Sequence, residues 1–163
     1  MSSSSLSFTI ANIVSLWKID GQIKLEIDNS KRKKKFNAQV IRRNGVFLVF
    51  ASGKVIATGF KEVTKAGATL QQIYPDNAIN FVKVVNITAH SFLPYTFNVR
   101  EMIDSYEDTT YEPEIYPAVY IKLNGLTLIY YSTGSIIITG AKELSQIDGA
   151  LDQFSRRTSQ MGI

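Results

Sequence analysis

Residue types that commonly catalyse reactions or bind metals are scarce in this chain. It has no cysteine and a single histidine, His90. These counts exclude disulfides, cysteine-ligated zinc or iron–sulfur sites and multi-histidine metal sites. Ser52-Gly53-Lys54 is not a phosphate-binding loop, because no glycine lies five residues before Gly53. We therefore expect no enzymatic activity and no cofactor, and we expect His90 on the surface or in a loop just beyond a strand.

The residues that could form a binding surface share one side of the predicted β-strands, since side chains alternate between the two sides of a strand. They are Leu48, Phe50, Ser52, Lys54, Ile56 and Thr58, then Ile129, Tyr131, Ser135, Ile137 and Thr139, with Asn12 beside Val14 and Asn86 beside Thr88. A large exposed apolar patch usually marks an interaction site. The alternative is that this set forms the core and the opposite set faces water.

The chain also repeats itself, as expected for a duplicated unit. Thr58–Glu62 matches Thr139–Glu143, and the similarity continues upstream and downstream without a gap. Ala11-Asn12-Ile13 matches Val85-Asn86-Ile87 at a slightly smaller spacing between the two copies. Several short matches in the same order favour duplication over chance.

Each half has the same predicted order of elements: a long first strand, three strands separated by glycine turns, and a closing helix. The predicted strands are Phe8–Trp17, Phe36–Arg42, Val46–Ala51, Val55–Thr58, Phe81–Ala89, Ala118–Leu123, Leu126–Ser132 and Ile136–Thr139. The predicted helices are Glu62–Tyr74 and Lys142–Arg157, whose core stripes are Val63, Ala66, Leu70 and Ile73, and Leu144, Ile147, Leu151 and Phe154. We predict an α+β fold in which two tandem repeats, residues 8–80 and 81–158, share one antiparallel sheet with helices on one side. Short tails, residues 1–7 and 159–163, flank the repeats.

Charge is divided unequally between the two repeats. Residues 1–80 contain 12 Lys+Arg and 5 Asp+Glu, whereas residues 81–163 contain 6 and 9. This asymmetry indicates two surfaces with different partners. No apolar run approaches the ~20 residues that span a bilayer, and the N-terminus lacks the charged region of a signal peptide. We therefore expect an intracellular protein without a membrane partner.

Four segments carry a resemblance to a known family. They are Ile10–Val14, Phe50–Gly59, Thr139–Lys142 and Tyr111–Pro117, the last reading Tyr-Glu-Pro-Glu-Ile-Tyr-Pro. In this order and at duplicated positions, they resemble the TATA-box-binding protein family, over about Ile10 to Arg157. The resemblance implies a curved, saddle-shaped sheet with helices on its convex face. It also implies a general transcription initiation factor that binds and bends A·T-rich promoter DNA through the minor groove.

The resemblance assigns roles to individual residues. Asn12 and Asn86 would donate to base acceptors near the pseudo-dyad, flanked by Thr58 and Thr139. Two aromatic pairs, Phe36 with Phe50 and Tyr116 with Tyr131, would open base steps as wedges. The remaining implied DNA contacts are Val14, Leu48, Ile56, Thr88 and Ile137 on the groove surface and Arg42, Lys54 and Lys122 at phosphates.

The resemblance also implies protein partners. Glu112 and Glu114 match positions that hold transcription factor IIB, so we expect a factor-IIB-like partner there. The basic run Lys31–Lys35 would grip phosphates or a factor-IIA-like protein, or serve as a nuclear-localisation signal. Two copies could pair when DNA is absent. The expected location is the nucleus, the site of viral transcription for a virus, or the cytoplasm for an archaeon.

Several residues depart from the family pattern. Both wedges of the second repeat, Tyr116 and Tyr131, are tyrosines where phenylalanine is usual. Ser135 replaces the lysine expected after the turn, which removes one phosphate contact. These changes indicate a divergent or specialised relative. The alternative function is therefore an interaction module or dimerising adaptor that keeps the fold but has weakened or lost DNA bending.

Overall fold

The computed structural model describes residues 6–23, 25, 38–111 and 118–161. Its strands are β1 (Phe8–Ile19), β2 (Ala38–Arg42), β3 (Val46–Phe50), β4 (Lys54–Phe60), β5 (Ile79–Phe92), β6 (Thr109–Tyr111), β7 (Ala118–Leu123), β8 (Leu126–Tyr131) and β9 (Ser135–Ala141). Its helices are α1 (Val63–Ile73), α2 (Val99–Ser105) and α3 (Leu144–Ser159). Within the described ranges, no helix combines the length and apolar content needed to span a membrane.

The chain folds into two compact units. The first unit is Asn12–Asn86, and the second unit combines Met1–Ala11 with Ile87–Ile163. The division passes through β1 and β5, because each of these long strands contributes residues to both units. The repeat boundaries 8–80 and 81–158, with tails 1–7 and 159–163, describe the duplicated sequence and stay a prediction.

The first unit is an antiparallel sheet with one helix packed on it. Its strands lie in the order β2-β3-β4-β1, with β4 between β3 and the second part of β1. The core between sheet and helix comprises Trp17, Ile19, Phe47, Val49, Val55, Ala57, Phe60, Ala66 and Leu70. The indole N–H of Trp17 donates to Ser15 Oγ at 2.8 Å, so the buried donor is satisfied.

The second unit repeats this plan with a more aromatic core. Its strands lie in the order β5-β9-β8-β7-β6, and α3 covers one side. Phe154 of α3 is fully buried and its ring centroid lies 5.9 Å from Tyr130 and 6.2 Å from Phe97. The predicted α+β fold of two repeats is confirmed.

Some element predictions were wrong in detail. Leu144 was expected in the core stripe of α3, but its side chain, at the first helical position, is 49% exposed. His90 lies within β5 rather than beyond it, although it is exposed as expected. The helix α2 was not predicted, since seven residues are too few for a clear helical periodicity. It begins where the Asn98 side chain accepts a hydrogen bond from the N–H of Glu101.

Candidate nucleic-acid interface

Among the described residues of each unit, one side of the sheet carries a helix and the other does not; we call the second side the helix-free face. The helix-covered side contains the fully buried residues Phe47, Val55 and Ala57 in the first unit and Leu128 and Ile136 in the second. The residues between them in sequence lie on the helix-free face and are only partly buried. The alternative interpretation, in which the predicted binding set forms the core, is therefore wrong.

The structure brings the described members of the predicted DNA-binding set onto the helix-free face of their own unit. The partly buried members are Asn12, Val14, Leu48, Phe50, Ile56, Thr58, Asn86, Thr88, Tyr131, Ile137 and Thr139. Arg42, Lys54 and Lys122 share the strand parity of this face and are exposed. The wedge partners Phe36 and Tyr116, the acidic residues Glu112 and Glu114, and the basic run Lys31–Lys35 lie outside the described residues.

A β-bulge positions the amide of Asn12. The register between β1 and β4 shifts between Ile13 and Ser15, so β4 has one extra residue, and Gly59 takes the positive φ of +86° there. The Gly59 N–H, which the bulge takes out of the ladder, donates to Asn12 Oδ1 at 2.6 Å. Asn12 Nδ2 in turn donates to Thr58 Oγ1 at 2.9 Å. An amide nitrogen carries two hydrogens, so one remains to donate to an acceptor from outside.

The second repeat has the same bulge. The register between β5 and β9 shifts between Ile87 and Ala89, and Gly140 has a φ of +101°. The hydroxyls of Thr88 and Thr139 lie 2.9 Å apart and form a hydrogen bond across the strands. Asn86 is thus the counterpart of Asn12, as the match between the two first strands predicted. Sequence comparison found the Thr-Gly pairs but did not identify them as bulges.

Replacing Asn12 by alanine tests this bulge network. Asn12→Ala removes the acceptor of the Gly59 N–H and the donor to Thr58 Oγ1, so we expect a loss of about 0.5–1.5 kcal/mol in the free energy of unfolding. Chemical denaturation measures this change. Asn80→Ala is a matched control, because its Nδ2 makes only a 3.4 Å hydrogen bond to Lys18 O at an exposed position. Equal stability of the two variants would contradict the network.

The paired aromatic positions also match between the repeats. Phe50 is opposite Ala38, and Tyr131 is opposite Ala118, in the two outer hairpins. Tyr130 faces the other way and is 5% exposed, with its ring 5.0 Å from Phe97. Burial raises the pKa of Tyr130, and the nearby Tyr95 raises it further, so this phenol stays neutral in the core. Tyr131 rather than Tyr130 is therefore the aromatic that reaches the helix-free face.

Basic side chains border this face in both units. Lys18 lies directly opposite Lys54 across β1 and β4, and its ammonium donates to the carbonyl of Ser52. In the second unit the Lys122 ammonium donates to Thr127 Oγ1 at 2.7 Å.

Sequence reasoning missed several residues of the helix-free face, although strand parity with the pairing register identifies them: Leu16, Lys18, Val40, Val46, His90, Phe92, Tyr120 and Thr127. In the part of the chain that the structure describes, no cluster of three or more acidic or histidine side chains could hold a metal ion.

Comparison with known proteins agrees with this geometry. The model of the family described as transcription factor TFIID (or TATA-binding protein, TBP) matches residues 7–76 and 81–161. The TATA-box-binding protein-like 1 of Entamoeba histolytica is 31% identical over 164 residues, covering 89% of this chain and 76% of that relative. TATA-box-binding protein 2 of Methanosarcina acetivorans is 29% identical, covering 96% of this chain and 97% of the relative.

The solved structures agree on the fold. The Methanococcus jannaschii TBP structure superposes with a TM-score of 0.81 at 24% sequence identity, covering 94% of this chain and 99% of that one. The resemblance derived from the sequence is thereby confirmed. The matched segments span both repeats, including both bulges and both helix-free faces, and the chain belongs to the TATA-binding protein family.

Proposed function

We propose that this protein is a general transcription initiation factor that binds A·T-rich promoter DNA through the minor groove and bends it. The observation that carries the proposal is the duplicated bulge on an apolar, helix-free face. In the first repeat it holds Asn12 and Thr58, and in the second repeat Asn86 with the pair Thr88 and Thr139. The names of the relatives in the Entamoeba and archaeal genera support the same function. The chemistry is binding and shape change, without an enzymatic step or cofactor.

The composition of the helix-free face suits the minor groove. At A·T pairs the groove offers only the acceptors adenine N3 and thymine O2, so a reader needs few donors and much apolar surface. Asn12 and Asn86 supply amide donors, held in place by the bulge in the case of Asn12. Val14, Ile56 and Ile137 are partly buried without a ligand and would lose their remaining exposure against the groove floor.

Bending is the costly part of this mechanism. Aromatic wedges between base steps are the mode known for TATA-binding proteins, and unstacking costs a few kcal/mol per step. Phe50 and Tyr131 lie at matching strand positions for this role, with Phe36 and Tyr116 as their proposed partners. Contact of apolar surface with the opened groove offsets the cost. Phosphate neutralisation by Arg42, Lys54 and Lys122 adds to the affinity.

The decisive experiment compares a TATA duplex with a scrambled duplex of equal composition. Energy transfer between dyes on the two DNA ends measures the bend, and titration at several salt concentrations measures affinity. The proposal predicts tighter, salt-sensitive binding to the TATA duplex with a shortened end-to-end distance. Equal affinity for both duplexes without bending would reject it.

One alternative function has its own support. Ser135 in place of a lysine and Tyr131 in place of a phenylalanine favour a second repeat with weaker DNA contacts. The protein would then act as an interaction module or as an adaptor that dimerises when free of DNA. That function predicts no preference for TATA in the experiment above, with retained binding of a factor-IIB-like protein.

The proposed protein partner is a transcription factor IIB-like protein, held by Glu112 and Glu114. Reversing one of these charges with Glu114→Arg places like charges in the contact, so we expect at least a tenfold loss of factor binding with DNA affinity unchanged. Pull-down and DNA titration on the same preparation measure the two. Glu101→Arg, in α2, is the charge-matched control. Unchanged factor binding by Glu114→Arg would contradict the contact, and loss of DNA binding together with factor binding would indicate misfolding instead.

We further propose that a factor-IIA-like protein binds the basic run Lys31–Lys35. The proposed location is the nucleus, the site of viral transcription for a virus, or the cytoplasm for an archaeon. Removing the five charges of the run would then weaken factor-IIA-like binding without changing TATA preference.

A further inference from the structure

The two repeats differ at one corresponding pair of positions on the helix-free face. In the first unit Lys18 of β1 lies directly opposite Lys54 of β4, and both are exposed. Like charges directly opposite each other destabilise a strand pair. The Lys18 ammonium donates to the carbonyl of Ser52, and a nearby anion such as a DNA phosphate would offset the remaining repulsion.

In the second unit the same two positions hold no charge. Extending the match of Asn12 with Asn86 along the long strands pairs Lys18 with Phe92. Extending the match of the Thr-Gly bulges along the hairpins pairs Lys54 with Ser135. The structure confirms this correspondence, because Phe92 of β5 lies directly opposite Ser135 of β9. Two lysines in one repeat are therefore replaced by a phenyl ring and a small hydroxyl in the other.

Phe92 is exposed in a way that core packing does not explain. Its side chain is 53% exposed, among the most exposed large apolar side chains in the described chain. One edge of the ring lies over the β8–β9 turn, where a Cβ on Gly134 would come within 2.8 Å of it. The ring is thus held against a glycine while its other side stays open.

The ring lies in line with the proposed wedge. Tyr130 pairs with Ile136, so Tyr131 lies next to Ser135, and Ser135 separates Tyr131 from Phe92. Ser135 is partly buried and much smaller than either ring, so no third large side chain lies between the two aromatic positions. In the first unit the corresponding row is Phe50, Lys54 and Lys18.

We propose that Phe92 is a further DNA-contacting residue, whose ring packs against the sugar-and-base surface of the groove beside Tyr131. This proposal rests on the proposed minor-groove function. The first repeat then holds its half of the duplex largely by charge, through Lys18 and Lys54. The second repeat holds its half largely by aromatic contact, which compensates for the uncharged Ser135.

The test separates apolar contact from charge by the salt dependence of binding. Affinity for a labelled A·T-rich duplex is measured at several salt concentrations for the wild type, Phe92→Ala, Phe92→Lys and Lys54→Ala. Phe81→Ala is the matched control, because Phe81 lies in the same strand and is 50% exposed, but packs against Trp17 at 5.2 Å. Melting temperatures of all variants monitor folding.

We expect Phe92→Ala to weaken binding about tenfold with an unchanged salt slope, since it removes apolar contact only. Phe92→Lys should steepen the slope of log affinity against log salt by about 0.9, and Lys54→Ala should flatten it by about 0.9. Phe81→Ala should change neither quantity. The slope of log affinity against log salt does not depend on the fraction of protein that is folded. Phe92→Lys therefore remains informative if Phe92→Ala folds poorly.

Two outcomes would overturn the proposal in distinguishable ways. In the first outcome, the wild type prefers the A·T-rich duplex, Phe92→Ala has the same affinity as Phe81→Ala, and Phe92→Lys leaves the salt slope unchanged. Phe92 then does not contact DNA, while the proposed function stands. If the wild type shows no preference over scrambled duplex, the proposed function fails, and the role of Phe92 fails with it.

Discussion

Phe154→Ala is expected to lower the free energy of unfolding by about 3–5 kcal/mol, the usual cost of removing a buried phenyl ring. Phe154 is fully buried in the second unit. Its ring lies within 6.4 Å of three other rings, those of Phe97, Tyr106 and Tyr130. Tyr130 lies in β8, whereas Phe97 and Tyr106 flank the two ends of α2, so closing the cavity would require the sheet and the helix to shift together. Roughly a 10 °C decrease in Tm would accompany the loss in a chain of this length.

Two controls make this expectation specific. Phe92→Ala removes the same ring from an exposed position and should change stability by less than about 1 kcal/mol. Ile73→Ala truncates the corresponding residue of the first repeat, which is only half-buried, and should cost less than Phe154→Ala. Urea denaturation of the three variants measures the differences. A loss below about 1 kcal/mol for Phe154→Ala would show that the aromatic cluster is not the main core of the second unit.

Much of this fold could be predicted from the sequence, because both repeats show the same order of strand and helix patterns. The helices near Val63–Ile73 and Leu144–Ser159 were predicted from stripes such as Ala66 and Leu70, which are indeed buried. The pairing register was not predictable, because it depends on the bulges at Gly59 and Gly140, and a single extra residue leaves no periodic signal. The short helix α2 and strand β6 were not predicted because seven and three residues are too few for a clear periodicity, although the Asn98 cap is a local signal for the start of α2.

The candidate site was predicted in part for the same reason. Strand parity identified which side chains share a face, so Ile56 and Ile137 were placed correctly on the helix-free face. Parity alone could not show which face the helices cover; burial of Val55 and Ile136 decides that. Phe92 was missed because the predicted strand ended at Ala89, whereas β5 continues to Phe92. Only the observed pairing with Ser135 reveals that it replaces Lys18.

The double variant Phe36→Ala with Phe50→Ala is expected to weaken binding to a TATA duplex by about 2–4 kcal/mol, roughly 30- to 700-fold. It is also expected to abolish the bend in the first-repeat half. Phe50 lies opposite Ala38 on the helix-free face, and its side chain is partly exposed there. Without the wedge, the duplex regains its stacking, and contact with the straight groove involves less of the sheet. Energy transfer between the DNA ends measures the bend, and titration measures affinity.

The variant Phe50→Leu distinguishes a wedge role of Phe50 from ordinary apolar contact with the DNA. Leucine keeps most of the apolar surface but lacks a flat ring, so a wedge role predicts partial recovery of affinity with a smaller bend than the wild type. Val40→Ala is the matched control, because Val40 is also exposed on the helix-free face, at 44%, but lies further along the hairpin, opposite Leu48. It should reduce affinity only slightly and leave the bend intact. If the double variant keeps the wild-type bend, Phe36 and Phe50 are not wedges. The first repeat would then grip DNA through Lys18, Lys54 and Arg42 alone, and a steep salt dependence in the double variant would support that conclusion.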